Sequence, residues 1–369
     1  MKFSVTKDHL LEGLQKTQNV VSTRATLPVL SNVLIETTGT GIRLSTTDME
    51  VSLRCEVPAM VEKQGATTIP ARKLLTIIRE LPVSDIQIET DAKNITSIRS
   101  GQSFFKIYGL AREDYPAFPE AINAKTVTVK QSVLKDGLRK TSYAISLDET
   151  RYVLNGILFS FKESTLKLVA TDGRRLALFE ESIDAEITGK LDLDFIVPTK
   201  AINELQRLLN EGDDVTVQVG ENLVAFHLNG SILVSKLVDG NYPNYRQVIP
   251  SSDDTKEIIK LDREAFLHCV RRVSLLSTDK AASIRLKFSA NNIEVMCNTP
   301  EVGEAKESIA VAYKGTEFAI AFNPDYLMDP LKALPNDEVS LRLIDEMSPG
   351  VIEINSGFLY VLMPMRVSQ

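Results

Sequence analysis

Arg72 and Arg79 stand seven residues apart, and adding 128 to each number lands on Lys200 and Arg207. On a helix seven residues are close to two turns, so each pair would share one edge as fixed point charges, without a base-reading side chain. Such an edge suits sequence-independent contact with phosphates, and equally suits a solvated helix flank. The third corresponding position breaks the pattern, with Tyr326 and Ala333 there and Lys332 nearby. Catalytic chemistry is harder to find. His9, His227 and His268 are scattered without partners at metal-ligand spacing, and His268 and its neighbour Cys269 would point to different helix faces. The sequence contains no phosphate loop, dinucleotide-binding glycine motif, nucleophile elbow or HExxH. Thr171-Asp172-Gly173 is compatible with a turn or a carboxylate site; its counterparts Thr47-Asp48 and Asn298-Thr299 do not always keep an acid, which favours the turn. No catalytic residue, metal or cofactor is therefore expected.

The elements that carry these cations recur. VPTKAINELQRLLNEGD, from Val197, predicts an amphipathic helix with Ile202, Leu205, Leu208 and Leu209 on one side and a basic outer edge. Two β-rich runs follow, the second joined to SILVSKLV by Asn229-Gly230, and Tyr242-Pro243 closes the stretch. Equivalent runs occur upstream and downstream: the helix-start prolines Pro70, Pro198 and Pro324 are 128 and 126 residues apart, and the hairpin glycines Gly101, Gly230 and Gly357 are 129 and 127 apart. A second helix precedes further strands in each copy, at KDHLLEGLQKTQNVVS, KQSVLKDGLRKTSYAIS and DREAFLHCVRRVSLLS. The predicted architecture is α+β: three similar domains, 1–120, 127–249 and 257–369, each a doubled βαβββ unit. Their linkers fall around 119–126 and 249–258, after Tyr-Pro stops.

At 369 residues and 43% hydrophobic, the chain can bury several ordinary cores. No apolar run is long enough to span a membrane and the N-terminus has no apolar signal core, so a cytoplasmic protein is expected. Cys55, Cys269 and Cys297 are odd in number and lack CxxC spacing, as in a reduced compartment. The net charge of -7 argues against a polyanion partner until its distribution is considered: the six predicted helices together carry +6, which leaves -13 on strands and loops. Segregation of this kind predicts one basic surface on an acidic body. Near the end of the chain, Met363 and Met365 flank Pro364, which fits either a site accepting varied apolar side chains or a tail packed on its own domain.

Several runs, in order, carry a resemblance: MKF at the start, TLPVLSN from Thr26, RYVLNGILF from Arg151, ATDGRRLAL from Ala170, SKLVDGNYPNYR from Ser235 and VLMPMR from Val361. Through these the chain resembles the bacterial DNA polymerase III beta subunit family, the sliding clamps, over essentially its full length. The resemblance implies the DNA clamp fold, closed into a ring by a head-to-tail homodimer with helices inside and sheets outside. It implies a processivity factor without enzymatic activity, held on double-stranded DNA by encirclement and not by sequence. It moves Arg72, Arg79, Lys200 and Arg207 toward the phosphate reading and adds Arg24, Lys73 and Arg151 as DNA-facing residues. Leu147 and Asp148 depart from the family's pattern beside Arg151. The resemblance also implies a pocket for a short peptide of the DNA polymerase III alpha subunit, the clamp loader and repair factors. Its wall would be Leu154, Thr171, Gly173, Arg174, Arg175, Leu176, Pro243, Val248, Val361, Leu362, Met363, Pro364, Met365 and Arg366. Arginines at its rim would favour acidic or polar peptide ends, and the departures at Arg174 and Gln247 bear on peptide preference. The subunit contact would use Phe105 and Ile107 on one surface and Leu275 and Leu276 on the other.

Overall fold

Six α-helices occur among the described residues, where the apolar spacing predicts them: α1 (Lys7–Thr17), α2 (Ala71–Glu80), α3 (Gln131–Thr141), α4 (Thr199–Leu208), α5 (Arg263–Val273) and α6 (Pro324–Ala333). The computed structural model describes residues 1–21, 27–82, 85–122, 124–183, 192–251, 257–278, 283–300, 302–355 and 357–366, so Arg24, expected to face DNA, lies outside them. Local chemistry sets the helix starts. The Thr6 hydroxyl accepts from the His9 amide, Asp262 accepts from the Ala265 amide at 2.7 Å, and Asn323 caps α6 with Pro324 behind it. Pro70 and Pro198 close the strands before α2 and α4, so those helices begin one residue later.

Backbone contacts divide the chain into two units, one of residues 1–135, 184–190 and 200–238, the other of 136–183, 191–199 and 239–369. The first contains a five-stranded antiparallel sheet in the order Met60–Lys63, Lys2–Thr6, Asp85–Thr90, Ile95–Ser100, Ser103–Tyr108. It also contains an eight-stranded sheet in the order Lys125–Lys130, Asp214–Val219, Leu223–Leu228, Ser231–Lys236, Val51–Pro58, Gly41–Thr47, Asn32–Thr37, Ala66–Pro70. Leu10 and Leu14 of α1 and Leu74 and Ile78 of α2 pack with Phe3, Ile35, Leu44, Val57 and Ile88 in one core. Each such side chain stabilises the fold by about 1.5–3 kcal/mol through burial.

The second unit repeats the plan. Its eight-stranded sheet runs Asp192–Pro198, Gly156–Lys162, Thr165–Thr171, Arg175–Ser182, Phe358–Leu362, Gly350–Glu353, Glu338–Leu343, Glu257–Asp262. A four-stranded sheet runs Gly303–Ala310, Asn292–Thr299, Ile284–Ser289, Phe318–Phe322. Helices α5 and α6 pack together, burying Phe266, Val270, Leu327 and Leu331. The doubled βαβββ order holds in each repeat; the exception is Met60–Lys63, a short, largely exposed strand on the edge of Lys2–Thr6 that the repeat did not predict.

The middle joint of each eight-stranded sheet pairs strands of two different repeats. Ser231–Lys236 lies against Val51–Pro58 with Leu233 opposite Leu53, and Phe358–Leu362 lies against Arg175–Ser182 with Tyr360 opposite Ala177. The remaining strands of these two classes, Ser103–Tyr108 and Gly303–Ala310, end their sheets with one edge unpaired among the described residues.

At one point of α1 and of α3 the helix approaches its sheet so closely that glycine is required. A Cβ at Gly13 would lie 2.5 Å from Val57, and one at Gly137 would lie 2.6 Å from the Phe179 ring. Gly137→Ala gains about 1 kcal/mol of helix propensity but overpacks the contact by about 1–3 kcal/mol. We expect a lower denaturant midpoint for Gly137→Ala, whereas Gly39→Ala, with nothing within 4 Å of its Cβ, leaves the midpoint almost unchanged.

Candidate functional site

The basic helix edges are unequal. On α2, Arg72, Lys73 and Arg79 are exposed and make no ion pair with a carboxylate among the described residues, while α2 is anchored through Leu74, Leu75 and Ile78. On α4, Lys200 pairs with Asp48 and Arg207 pairs with Glu204 at 2.7 Å. Glu204 itself is buried beside Ala201, Ile202 and Leu205, which the helical spacing alone did not predict. Arg151 sits in a bend of the 3-10 segment Glu149–Leu154 and pairs with Asp148 at 2.9 Å. The six described cations expected to face DNA thus divide evenly between two kinds of environment: three in solvent on α2, three beside a resident carboxylate elsewhere. Leu147, in the departing loop, is 90% exposed.

The predicted peptide pocket is organised around Arg175. The carboxylate of Asp172 accepts the amides of Arg174 and Arg175 at 2.8 and 3.0 Å, which makes Thr171-Asp172-Gly173 the turn the sequence favours. Its other oxygen takes Arg175 Nε at 3.1 Å; Asp329 of α6 takes Nη1 at 2.6 Å, and the Tyr143 carbonyl takes Nη2. The guanidinium lies 4.2 Å over the Tyr326 ring. Burial works against its charge, yet Tyr360, Asp329 and Asp172 outweigh that and its pKa moves up. Arg175 is 10% exposed and fully engaged, so it is a pin under the site and not a rim charge; Arg174 is the exposed arginine.

A proline completes this network. Pro330 lies inside α6 and has no N–H to give the Tyr326 carbonyl. That carbonyl instead accepts the Tyr360 hydroxyl at 2.8 Å, tying α6 to the strand Phe358–Leu362. The same strand places Val361 opposite Leu176 and Leu362 opposite Arg175. Beyond it the chain is held by Met363 N donating to Arg174 O at 3.0 Å and Met365 N donating to Ala321 O at 2.7 Å. The backbone at Met363 and Met365 is therefore anchored, while the two residues stay 43% and 39% exposed. Leu154, Leu176, Val361 and Leu362 are buried; Val248 is 48% exposed on the short helix Tyr245–Val248.

Pro243 and Val248 belong to a segment that reaches the same turn. Tyr242 lies beside Thr171 and Asp172, its phenol pushed up by burial, and Gly240 abuts Val153 and Tyr152. A Cβ on Gly173 would lie 2.8 Å from Arg151, so that arginine borders the turn. Pro243 also lines a groove of about 340 Å³ with Leu158, Phe195, Tyr242 and Tyr245, which sequence reasoning missed because it joins three separated segments. Sequence reasoning equally missed Tyr143, Tyr326, Asp329 and Tyr360; only the unusual Pro330 within a helical run signalled them.

For the expected subunit contact, Phe105 is 38% and Leu275 77% exposed. Ile107, by contrast, packs against the core of the first unit, and Phe104, not anticipated, is 50% exposed on the same strand. Among the described residues no group of His, Cys, Asp and Glu could hold a metal ion, and no helix is long and apolar enough to cross a membrane.

Comparison with known proteins places three family models along the chain, described as the N-terminal, central and C-terminal domains of the DNA polymerase III beta subunit, at residues 1–119, 128–244 and 246–366. The chain is 35% identical to the beta sliding clamp of Chlamydia muridarum, over 100% of this chain and 99% of that one. It is 35% identical to that of Escherichia coli K12 over the full length of both. The crystal structure of the DNA polymerase sliding clamp from Bacillus subtilis superposes with a TM-score of 0.95 at 30% identity, covering all of both chains.

Removing Arg175 leaves Asp172 and Asp329 without their shared counter-charge. Arg175→Ala should cost about 3–5 kcal/mol, the range for breaking one side of a buried pair. Adding Asp172→Asn and Asp329→Asn should return part of that loss in denaturant unfolding.

Proposed function

The chain belongs to the DNA polymerase III beta subunit family, and from that premise we propose that it is a sliding clamp, a non-catalytic processivity factor whose two copies close a ring around duplex DNA. The observation that carries this reading is the pair of free strand edges. Within the chain, the hairpin strand of one repeat always lies against the third strand of the repeat before it. Ser103–Tyr108 and Gly303–Ala310 are the hairpin strand and the third strand left over. A second copy supplies each with its complement, and because the two surfaces differ, the contact is head-to-tail. Exposed Phe104, Phe105 and Tyr108 on one edge fit that role, since a free aromatic strand edge is otherwise an aggregation site.

The repeats also predict the register. Leu233 and Tyr360 each follow a hairpin glycine by three residues, as Phe104 follows Gly101. Leu53 and Ala177 pair with Thr46 and Ala170, as Ala305 pairs with Cys297. Phe104 should therefore face Ala305 of the second copy. The three native cysteines are buried, and burial pushes the thiols of Cys55 and Cys269 up to about 12, so they will not interfere with introduced pairs. Oxidised Phe104→Cys/Ala305→Cys protein should migrate as a covalent dimer, stay on closed circular DNA in high salt once loaded, and leave when the circle is cut. A covalent dimer that forms with Phe104→Cys/Glu307→Cys instead would show another register, and equal loss from circular and linear DNA would rule out encirclement.

Domain limits near 1–120, 127–249 and 257–369 suit the three matched models. Phosphate contact falls to Arg72, Lys73, Arg79, Lys200, Arg207 and Arg151, with Arg24 joining them on family resemblance. Point charges on rigid helices hold a duplex without fixing its register, so movement along it is unhindered. The protein would work in the cytoplasm, where replication proceeds. Its other partners are the polymerase, the clamp loader and further proteins that share a short clamp-binding peptide. The peptide would lie over the Thr171 turn, against Val248, Met363 and Met365, whose exposed thioethers adapt to different apolar anchors. Arg174 and Arg366 would provide the rim charge, and Arg175 would hold the floor. Met363→Asp should abolish stimulation of the polymerase and capture of such a peptide in a pull-down, with dimer mass and retention on circular DNA unchanged.

A further inference from the structure

The two inner-helix edges that carry the DNA reading differ in one respect that the repeat does not demand. Asp48 is fixed before Lys200 reaches it: its Oδ1 accepts the amides of Glu50 and Val51 at 3.0 and 2.8 Å, its side chain is 11% exposed, and Oδ2 is left for the ammonium. Glu204 is fixed by burial. Its side chain is 6% exposed, Asn19 donates to it, and Arg207 Nη1 lies 2.7 Å away. Burial pushes the Glu204 carboxyl up, and Arg207 and Lys200 pull it back. The repeat equivalent of Glu204 on α2 is Thr76, an exposed residue whose hydroxyl donates to the Arg72 carbonyl of its own helix. No carboxylate forms an ion pair with Arg72, Lys73 or Arg79 among the described residues, Glu80 at the end of α2 included.

We propose that Asp48 and Glu204 are resident counter-ions that keep Lys200 and Arg207 partly neutralised, so that α2 holds the phosphates and α4 only guides them. This rests on the DNA reading of the preceding subsection. A cation already paired with a fixed carboxylate gains less from a phosphate, and the carboxylate repels the phosphate that approaches it. Contact through α4 then displaces fewer counterions from DNA than contact through α2. The result is an uneven lining, with enough grip to centre the duplex and less drag as it passes.

The test uses the intact dimer, a fluorescein-labelled linear duplex as probe, and anisotropy titrations between about 50 and 200 mM salt, where phosphate contacts register. Glu204→Gln keeps the shape and the Asn19 contact, and Asp48→Asn keeps the turn acceptor. Each should bind several-fold tighter at the low-salt end, with a log–log salt slope steeper by about 0.9 for every phosphate gained. Arg72→Ala should flatten the slope by a similar step, and Lys200→Ala and Arg207→Ala should flatten it much less. If Glu204→Gln and Asp48→Asn leave affinity and slope unchanged, or weaken them, while Arg72→Ala still flattens the slope, the counter-ion role is overturned and the DNA reading stands. If Arg72→Ala has no effect either, the DNA-facing edge itself is wrong. Should an acid-to-amide variant lose its dimer mass, equal slopes for Lys200→Ala and Arg72→Ala overturn the proposal, and unequal ones uphold it.

Discussion

A β-strand at the end of a sheet leaves a row of N–H and C=O groups facing outward, and this chain meets that constraint by pairing each repeat with the next. Ser231–Lys236 covers the edge of Val51–Pro58, and Phe358–Leu362 covers the edge of Arg175–Ser182. The pairing is in register through buried residues, Leu233 against Leu53 and Tyr360 against Ala177, so a one-residue slip would turn a core face to solvent. Three repeats joined in this way leave one hairpin strand and one third strand without such a partner among the described residues, one at each end of the series. A linear chain cannot cover both by itself without bending back, and a second copy does so without any new kind of contact.

The two remaining edges are built differently. Ser103–Tyr108 carries exposed aromatics, whereas Gly303–Ala310 carries Glu304, Lys306 and Glu307, with Glu307 held by Arg272. Charged side chains blunt an edge against its own kind. An aromatic edge and a charged edge therefore favour each other over self-pairing. In the third repeat Glu307 stands where the second has Phe179, and Cys269 stands where it has Gly137. The paired change sets a thiol on the helix against a carboxylate on the strand.

How much of this was legible in the sequence depended on range. Helix limits were, because Thr6, Asp262 and Asn323 act within three residues of the amides they cap. The strand order inside each repeat was, because the hairpin glycines Gly101, Gly230 and Gly357 all take positive φ. Charge pairing was not. Nothing near Lys200 in the chain announces Asp48, 152 residues away, and nothing near Arg175 announces Asp329, 154 residues away. For that reason the matched spacing of cations on α2 and α4 did not show that one set is paired with carboxylates and the other is not. The partial burial of Ile107 was hidden on a smaller scale: alternation along a strand puts neighbours on opposite faces, and the sequence of a half-polar strand does not say which face is inside.

The Arg175 centre sets the second joint apart from the first. The Asp48 turn and the Asp172 turn are equivalent in the repeat and accept the same two backbone amides. In the first, the spare carboxylate oxygen meets Lys200; in the second it meets Arg175, which continues to Asp329. Val51 stands where the second turn has Arg175, and with it the cation at the turn changes from a half-exposed lysine to a buried arginine. Burial fixes the arginine and with it the strand Arg175–Ser182, the Tyr326 ring and, through the carbonyl that Pro330 leaves free, Tyr360. The strand and the backbone at Met363 and Met365 are thereby held on several sides, while the two methionines remain partly exposed.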